Sequence, residues 1–248
     1  MEIKIVVATH KPYPMPADPL YLPVQAGAAC HERLDYTGDD SGENISARNG
    51  LYCELTALYW AWKNLPADVL GLCHYRRYFQ EPGEKRVLTE RTLAAIMERT
   101  PVILPKKRNY LIETGESQFV HAHGAAAMEA LRGVVSQQYP AYRDAFERSL
   151  GRTSGHRFNM LIMRRDLSDA YCEWLFGVLS ATETRLGDVP PRMMGYLSER
   201  LLDAWIETEG LPYEELPVFL TEKENWAKKG SAFLLRKLRG TAARSENH

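Results

Sequence analysis

The chain has 248 residues, of which 45% are hydrophobic and 25% are charged, as is usual for a soluble globular protein. This length fits one large α/β domain or two small ones. The formal net charge of −1 argues against a dedicated nucleic-acid-binding protein, because such proteins usually carry a clear excess of lysine and arginine. Four cysteines occur singly, without CxxC spacing, which argues against a zinc site or a disulfide framework.

The N-terminal stretch IKIVVATH predicts a buried β-strand over residues 3–8. The polar residues Thr9 and His10 follow directly and would form the tip of that strand. No basic leader precedes an apolar segment, and no apolar run approaches the ~20 residues of a membrane-spanning helix. We therefore expect a cytoplasmic protein without a signal peptide.

A proline-rich segment, PYPMPADPLYLP, then predicts an extended loop. The turn cluster YTGDDSGENISARNG follows, and it contains helix N-cap candidates such as Asp40. Beyond it, apolar residues recur at spacings of four, three and four, which predicts one continuous amphipathic helix. Its core-facing stripe would consist of Leu51, Leu55, Leu58 and Trp62.

The segment ADVLGLCHYRRYF predicts a second buried strand that ends in a burst of charge. If the segment stays extended, His74 and Arg76 share one face and Arg77 lies on the other. A guanidinium stays charged and offers a planar fork to phosphate oxygens, so His74 and Arg76 are the better pair for a pyrophosphate. Arg77 would then hold a structural carboxylate such as Glu54. An internal salt-bridge network is the alternative interpretation of the whole cluster.

Further helices and strands alternate along the rest of the chain. Strands are predicted in TPVILPKK and HRFNMLIMRR, and helices over residues 89–98, 123–137, after Pro140, 166–184 and 192–209. This alternation predicts an α/β fold with a mostly parallel central sheet flanked by helices. Ligands of such sheets bind at the carboxyl ends of the strands. The polar clusters at residues 9–10, 74–77 and 106–108 all follow predicted strands.

Several other polar residues allow two interpretations each. Thr9 and His10 either contact a nucleotide or cap the first strand. Asp40 and Asn44 either bind ribose hydroxyls or cap a helix. His156 and Asn159 flank an apolar strand, where they would hold a sugar hydroxyl or form a hydrogen-bonded core pair.

A carboxylate is needed if the protein transfers a sugar with inversion, because the acceptor hydroxyl must lose a proton. Glu199, in GYLSERLLDAWI, is the first candidate for this catalytic base, and Asp40 is the second. A glutamate on such a helix more commonly pairs with a neighbouring arginine.

The motifs TGDDSGENISARNGLYCELTALYWAWKN, GLCHYRRYF, HRFNMLIMRR, YCEWLF and GYLSERLL resemble the bacterial capsular and exopolysaccharide biosynthesis proteins long described as a domain of unknown function. The resemblance runs from Thr9 to the region near Val218. Members of that family are regarded as glycosyltransferases, and some are associated with galactofuranosyl transfer. The resemblance implies a GT-A-like, Rossmann-like single domain, which we place at residues 1–220.

GT-A enzymes carry an Asp-x-Asp motif that holds a divalent metal on the donor diphosphate, whereas the equivalent-looking strand here carries His74, Tyr75 and Arg76. We therefore expect no metal site and no firm cofactor; dependence on manganese or magnesium is the alternative. Arg76 would neutralise the departing diphosphate directly. The resemblance also implies that the site is lined by Thr9, His10, Asn44, Arg48, Asn49, His156 and Asn159.

The sequence thus predicts a glycosyltransferase that uses a UDP-type nucleotide-sugar donor and a lipid-linked saccharide acceptor, with no nucleic-acid partner. Two alternatives are a non-catalytic nucleotide-sugar-binding module of a polysaccharide assembly complex and a phosphate-ester hydrolase that uses His74 and Arg76. Residues 221–248 form a basic amphipathic tail. That tail either docks peripherally on the anionic cytoplasmic membrane face or packs on the domain.

Overall fold

The computed structural model describes residues 1–222. The predicted basic tail therefore lies, apart from its first two residues, outside the described residues. The strands are β1 (Ile3–Thr9), β2 (Tyr21–Gln25), β3 (Thr37–Gly38), β4 (Val69–His74), β5 (Arg77–Phe79), β6 (Val102–Pro105), β7 (Arg108–Asn109), β8 (Ser154–Gly155), β9 (Leu161–Arg164), β10 (Glu214–Leu216) and β11 (Val218–Leu220).

The α-helices are α1 (Asn49–Tyr52), α2 (Leu55–Asn64), α3 (Glu90–Met97), α4 (Gly115–His123), α5 (Ala126–Gln138), α6 (Arg143–Gly151), α7 (Arg165–Leu186), α8 (Met193–Ser198) and α9 (Leu202–Thr208). Short 3₁₀ helices lie at Ala28–Cys30, Ser46–Arg48 and Pro140–Tyr142. Within residues 1–222, no helix combines the length and the apolar character needed to cross a membrane.

The central sheet has the strand order β10-β6-β9-β4-β1-β2-β3, with β5 and β11 attached beside β4. β1 pairs in parallel with β2 and with β4, and β2 with β3. β9 runs antiparallel between β4 and β6. The predicted α/β class with a mostly parallel sheet between helices is confirmed. The proline-rich segment is only partly a loop, because its C-terminal end enters β2.

Each face of the sheet carries its own hydrophobic core, because successive residues of a strand point to opposite faces. Val6 and Leu72 pack on one face with the buried sides of α2, α5, α7, α8 and α9. Ile5 and Val7 pack on the other face with residues of α3. A strand buried on both faces reads as an unbroken apolar run, as β1 does.

The carboxyl ends of β1, β4 and β6 lie along one edge of the sheet. Ala8, next to the end of β1, pairs with His74, the last residue of β4. β4 does not continue as an extended strand: it turns at Tyr75 and Arg76 and returns as β5, with His74 opposite Arg77. The expected division of His74 to Arg77 between two faces is therefore wrong.

The predicted continuous helix is broken at Cys53. This residue has a φ of +52°, a left-handed conformation that few residues other than glycine adopt, and it separates α1 from α2. Of the predicted stripe, Leu55 and Leu58 are buried, whereas Leu51 and Trp62 are partly buried and pack against the core. The spacing of the apolar residues is regular across the break, so the sequence pattern gives no sign of it. The break changes the direction in which Cys53 and Glu54 project.

Asp40 does not cap the helix that follows it; its carboxylate pairs with Arg33 at 2.8 Å near the surface. The neighbouring Asp39 is fully buried and accepts hydrogen bonds from the backbone N–H groups of Gly27 (2.9 Å) and Ala28 (3.0 Å). Its carboxylate also accepts from the Ser46 hydroxyl. Asp39 therefore joins the loop after β2 to the 3₁₀ helix at Ser46–Arg48.

Replacing Asp39 with alanine should destabilise the protein by about 2–4 kcal/mol, because buried N–H donors lose a charged acceptor. Asp40→Ala is the matched control and should cost only about 0–1 kcal/mol, as exposed ion pairs do. Urea unfolding followed by circular dichroism measures both free energies. Equal losses for the two variants would contradict the linking role of Asp39.

Candidate active site

A cavity of about 680 Å³ lies at the carboxyl edge of the sheet. The ends of β1 and β4 form part of its wall, and residues of α1 and α8 form another part. Seven of the predicted site residues line it: Thr9, His10, Asn49, His74, Arg76, Arg77 and Glu199. The expectation that polar strand ends converge on one site is therefore met for β1 and β4, and also for Arg108 beyond β6.

Five arginines line this cavity, against two glutamates: Arg76, Arg77, Arg108, Arg157 and Arg192, with Glu54 and Glu199. Four sequence segments that lie far apart supply these arginines. Cationic side chains outnumber anionic ones, so the cavity favours an anionic ligand.

Arg76 lies at the turn between β4 and β5, with its side chain 45% exposed. Its guanidinium stacks on the Tyr75 ring at 4.9 Å and contacts the carboxylate of Glu222 at 3.3 Å. Glu222 is 49% exposed, and such surface pairs contribute little free energy. A ligand with several negative oxygens can therefore displace Glu222 from Arg76 at small cost.

The ring of Phe158 lies between two further guanidinium groups. The Arg77 guanidinium is 4.8 Å from the centre of this ring and that of Arg108 is 5.9 Å from it. Phe158 has a φ of +76°, and its carbonyl oxygen contacts Nε2 of His74. Phe158 thus brings the arginines of two segments to one side of the cavity.

Arg157 is buried, and its Nη1 donates to the backbone oxygens of Glu199 (2.8 Å) and His156 (3.0 Å). A Cβ atom at Gly155 would lie 2.5 Å from this guanidinium, so only glycine fits beside it. Arg192, at a φ of +66°, stacks over Tyr196 at 5.2 Å, and a hydrogen bond with the Cys53 thiol raises the pKa of Arg192.

Glu199 follows α8 and opens into the cavity, with its side chain 24% exposed. Its Oε1 accepts the backbone N–H of Phe158 at 3.1 Å. Burial raises the pKa of Glu199, the nearby charge of Glu54 raises it further, and Arg200 and Arg157 oppose the rise. Glu199 therefore accepts a proton more readily than an exposed glutamate does.

Glu54 is the second carboxylate of the cavity, and Asn159 holds it in place. The Asn159 amide donates to Oε1 of Glu54 at 2.7 Å and to the backbone oxygen of Gly195 at 3.0 Å. The Asn159 carbonyl accepts from the Ser198 hydroxyl at 2.7 Å. Asn159 is buried and is not among the cavity residues, so the structure gives it a supporting place and no contact with a sugar.

His156, predicted to hold a sugar hydroxyl, lies in the core. It is 1% exposed; Nδ1 contacts Asp203, and Nε2 lies 3.1 Å from Oε1 of Glu215. This arrangement matches the alternative interpretation, a hydrogen-bonded core histidine. Asp203 also accepts the His156 backbone N–H at 3.1 Å.

Three other predicted residues lie away from the cavity. Asn44 bonds within its own loop, donating to the oxygen of Gly42 at 2.9 Å. Arg48 forms an ion pair with Glu183 and stacks over Tyr52 at 4.9 Å. Asp40, the second candidate for the base, is held by Arg33 near the surface. The structure does not bring these side chains to the site.

At the end of β1, the Thr9 hydroxyl donates to the oxygen of Lys11 at 2.7 Å, which is a capping contact. His10 lies edge-on to Tyr75 at 5.3 Å. Burial lowers the pKa of His10, and the charges of Lys11 and Arg76 lower it further, which favours the neutral imidazole. A neutral ring beside the arginines suits a base or a ribose better than a phosphate.

The sequence interpretation missed Glu54, Arg157 and Arg192 as site residues. Glu54 stands at the start of an amphipathic helix, where glutamate is common, and only the break at Cys53 turns it inward. Arg157 and Arg192 precede apolar segments and give no local signal. Within residues 1–222, no three histidine, cysteine, aspartate or glutamate side chains converge as metal ligands. A bound diphosphate would supply further oxygen ligands, so independence of a metal stays a prediction, with manganese or magnesium as the alternative.

Inorganic pyrophosphate should bind this cavity, and Arg76→Ala should weaken binding by about 10–100-fold, as expected for loss of a charged hydrogen bond. Arg99→Ala is the matched control, because Arg99 pairs with Glu214 and is not among the cavity residues. Isothermal titration calorimetry in the presence of a chelator measures both. Equal affinity of the wild type and Arg76→Ala would remove Arg76 from the anion site.

The sequence matches the family described as Domain of unknown function (DUF4422) over residues 4–210. No curated protein matches it. The structure is similar to the apo structure of WbbM, a bifunctional glycosyltransferase, with a TM-score of 0.82 and 26% identity over 90% of this chain and 46% of that one. The chain thus spans just under half the length of WbbM. The fold is that of a glycosyltransferase region, and the chain belongs to the DUF4422 family.

Proposed function

We propose that this chain is a glycosyltransferase that transfers a hexose from a UDP-type donor to a lipid-linked saccharide acceptor. The observation that carries the proposal is a cavity in which five arginines surround two carboxylates at the carboxyl edge of the sheet. The similarity to WbbM supports sugar transfer as the reaction class. The sequence resemblance favours capsule, exopolysaccharide or O-antigen synthesis, with galactofuranose as one candidate sugar.

In the proposed reaction an acceptor hydroxyl attacks the anomeric carbon of the donor sugar. The new bond joins the acceptor oxygen to that carbon, and the bond from the carbon to the diphosphate oxygen breaks. The hydroxyl proton passes to a protein carboxylate, and the electron pair of the broken bond leaves with the nucleoside diphosphate. The site must therefore accept one proton and stabilise one developing negative charge.

Arg76 is the group we assign to the leaving diphosphate. It is partly exposed, lines the cavity, stacks on Tyr75 and forms a surface ion pair with Glu222. Arg77 and Arg108, on either side of Phe158, would hold the remaining phosphate oxygens. Guanidinium groups that are positioned before the reaction supply this stabilisation with little reorganisation. A metal ion would then be unnecessary for the leaving group.

Glu199 is the group we assign as the base. It lines the cavity and has a raised pKa, as a general base that works near neutral pH requires. Glu54 is close enough to raise that pKa further. If the acceptor hydroxyl attacks on the face opposite the leaving group while Glu199 takes its proton, the anomeric centre is inverted.

The two alternatives fit the geometry less well. A non-catalytic binding module has no need of a carboxylate with a raised pKa beside the anion site. A phosphate-ester hydrolase that uses His74 would have to act through Nδ1 alone, because Nε2 contacts the carbonyl oxygen of Phe158. These contacts favour transfer over either alternative.

Glu199→Gln should lower kcat by about 10²–10⁴-fold without weakening donor binding, because the amide cannot accept the proton. In the wild type, kcat/KM should fall as pH decreases through the pKa of Glu199. Burial places that pKa above the ordinary value of 4.5, so the loss should begin at a higher pH than for an exposed glutamate.

The matched control for this substitution is Glu116→Gln, because Glu116 pairs with Arg132 and is not among the cavity residues. The kcat of Glu199→Gln, the kcat of Glu116→Gln and the pH profile of the wild type are all measured from turnover of a nucleotide-sugar panel, detected as released nucleoside diphosphate. Full activity of Glu199→Gln would exclude Glu199 as the base, and Glu54→Gln would be the next variant to measure.

Arg76→Ala should lower kcat by about 10²–10³-fold, as the loss of one transition-state donor does in other enzymes. Wild-type turnover should persist in an excess of chelator. UDP should raise the melting temperature of the protein in a thermal-shift assay, and this rise should not require manganese. Loss of activity with chelator, restored by manganese or magnesium, would contradict a metal-free leaving group.

A further inference from the structure

One loop near the cavity exposes apolar side chains that the protein interior does not cover. Within residues 1–222, the exposed large hydrophobic residues are Met1 (67%), Leu111 (79%), Ile112 (68%) and Tyr213 (37%). Leu111 and Ile112 are adjacent, and we call them the apolar tip. Lys107, which lies in the same loop as the apolar tip, donates a hydrogen bond from Nζ to the Tyr213 hydroxyl at 3.1 Å. Three of the four exposed residues thus lie on or against segment 106–112.

The apolar tip is a structured turn. Arg108–Asn109 pairs with Ser154–Gly155 as a small antiparallel ladder. The Ile112 N–H donates to the oxygen of Tyr110 at 2.8 Å, and the Leu111 N–H donates to Oδ1 of Asn109 at 2.8 Å. Leu111 itself has a φ of +65°. The backbone therefore directs two neighbouring apolar side chains into solvent, and a leucine rarely adopts this conformation.

The charges around the tip are mainly positive. Lys106, Lys107 and Arg108 precede it, and all three are exposed. The acidic residue that follows, Glu113, is 16% exposed and contacts Nδ1 of His121 at 2.8 Å. On the neighbouring strand, Glu215 lies 3.8 Å from Lys107. An exposed apolar pair beside Lys106 and Lys107 suits an anionic lipid surface, because the apolar side chains enter the interface while the two lysines face the headgroups.

The tip is continuous with the cavity. Arg108 lines the cavity and stacks over the ring of Tyr110 at 5.6 Å, one residue before the tip. Arg157 approaches the same ring at 5.8 Å. A surface that receives the tip would therefore lie beside the cavity.

We propose that the face formed by segment 106–112 and Tyr213 docks on an anionic lipid bilayer, with Leu111 and Ile112 inserted among the headgroups. This position would present the cavity to the saccharide of an acceptor whose lipid remains in the membrane. The identity of that acceptor rests on the proposed function, whereas the docking itself does not. The inference is also independent of the C-terminal tail.

The test is flotation of the full chain with vesicles of phosphatidylcholine, with and without phosphatidylglycerol. The wild type should float with the anionic vesicles and less with the neutral ones. The double variant Leu111→Ser/Ile112→Ser should lower the partition coefficient by about tenfold or more, because membrane affinity follows the apolar area that is buried. Ile112→Trp should raise it, which guards against a double variant that fails to fold.

Lys85→Ser/Arg91→Ser is the matched control; it removes two exposed cations outside this loop and should change partition little. A wild type that floats with neither vesicle would overturn the proposal, and so would a double variant and an Ile112→Trp variant that both float like the wild type. The thermal shift with UDP separates the two hypotheses. Flotation without a thermal shift by UDP would contradict the proposed function and leave the docking proposal intact. A thermal shift by UDP without flotation would contradict the docking proposal and leave the proposed function intact.

Discussion

The structure depends on keeping five guanidinium groups around one cavity that only two carboxylates, those of Glu54 and Glu199, also line. Like charges repel strongly where water is partly excluded, so each arginine needs a local support. Aromatic rings supply much of it: Tyr75 lies under Arg76, Tyr196 under Arg192, and Phe158 between Arg77 and Arg108. Backbone oxygens hold the buried Arg157, which also lies 3.5 Å from the Asp203 carboxylate. Rings and backbone carbonyls carry no net charge, so these contacts leave positive charge available for a ligand. An anion with several oxygens is the natural complement of this charge.

The two carboxylates have a different part in this arrangement. Burial raises the pKa of Glu199, and Glu54 raises it further, while Arg157 and Arg200 oppose that rise. Burial and the charge of Arg157 in turn lower the pKa of Arg200. A diphosphate bound to the arginines would add negative charge and raise the pKa of Glu199 again. The same donor that needs the cations would therefore increase the basicity of the carboxylate. In the proposed reaction, donor binding and proton acceptance would thus be coupled through one cluster of charges.

The sequence predicted the features that depend on local pattern. Buried strands such as β1 read as apolar runs, and the polar residues at the ends of β1 and β4 line one cavity, as expected. Features that depend on distant contacts were not predictable. The apolar residues on either side of Cys53 keep a helical spacing, but the positive φ of Cys53 breaks the helix and turns Glu54 towards the cavity. His156 was a candidate for binding a sugar because its hydrogen-bond partner, Asp203, lies 47 residues away in the sequence and could not be identified as its partner there. The hairpin at Tyr75 and Arg76 contains neither glycine nor proline, so nothing in its sequence indicated a turn. Arg157 depends on the space left by Gly155, which only the folded chain shows.

In the proposed reaction, guanidinium groups, led by Arg76, stabilise the negative charge of the departing diphosphate. A crystal structure of the chain with UDP, grown with manganese present, tests this most directly. We predict that diphosphate oxygens contact the Arg76 guanidinium, that Glu222 is displaced from it, and that no cation lies between the diphosphate and the protein. A manganese ion that bridges the diphosphate to Glu54 or Glu199, with Arg76 still paired with Glu222, would contradict the account.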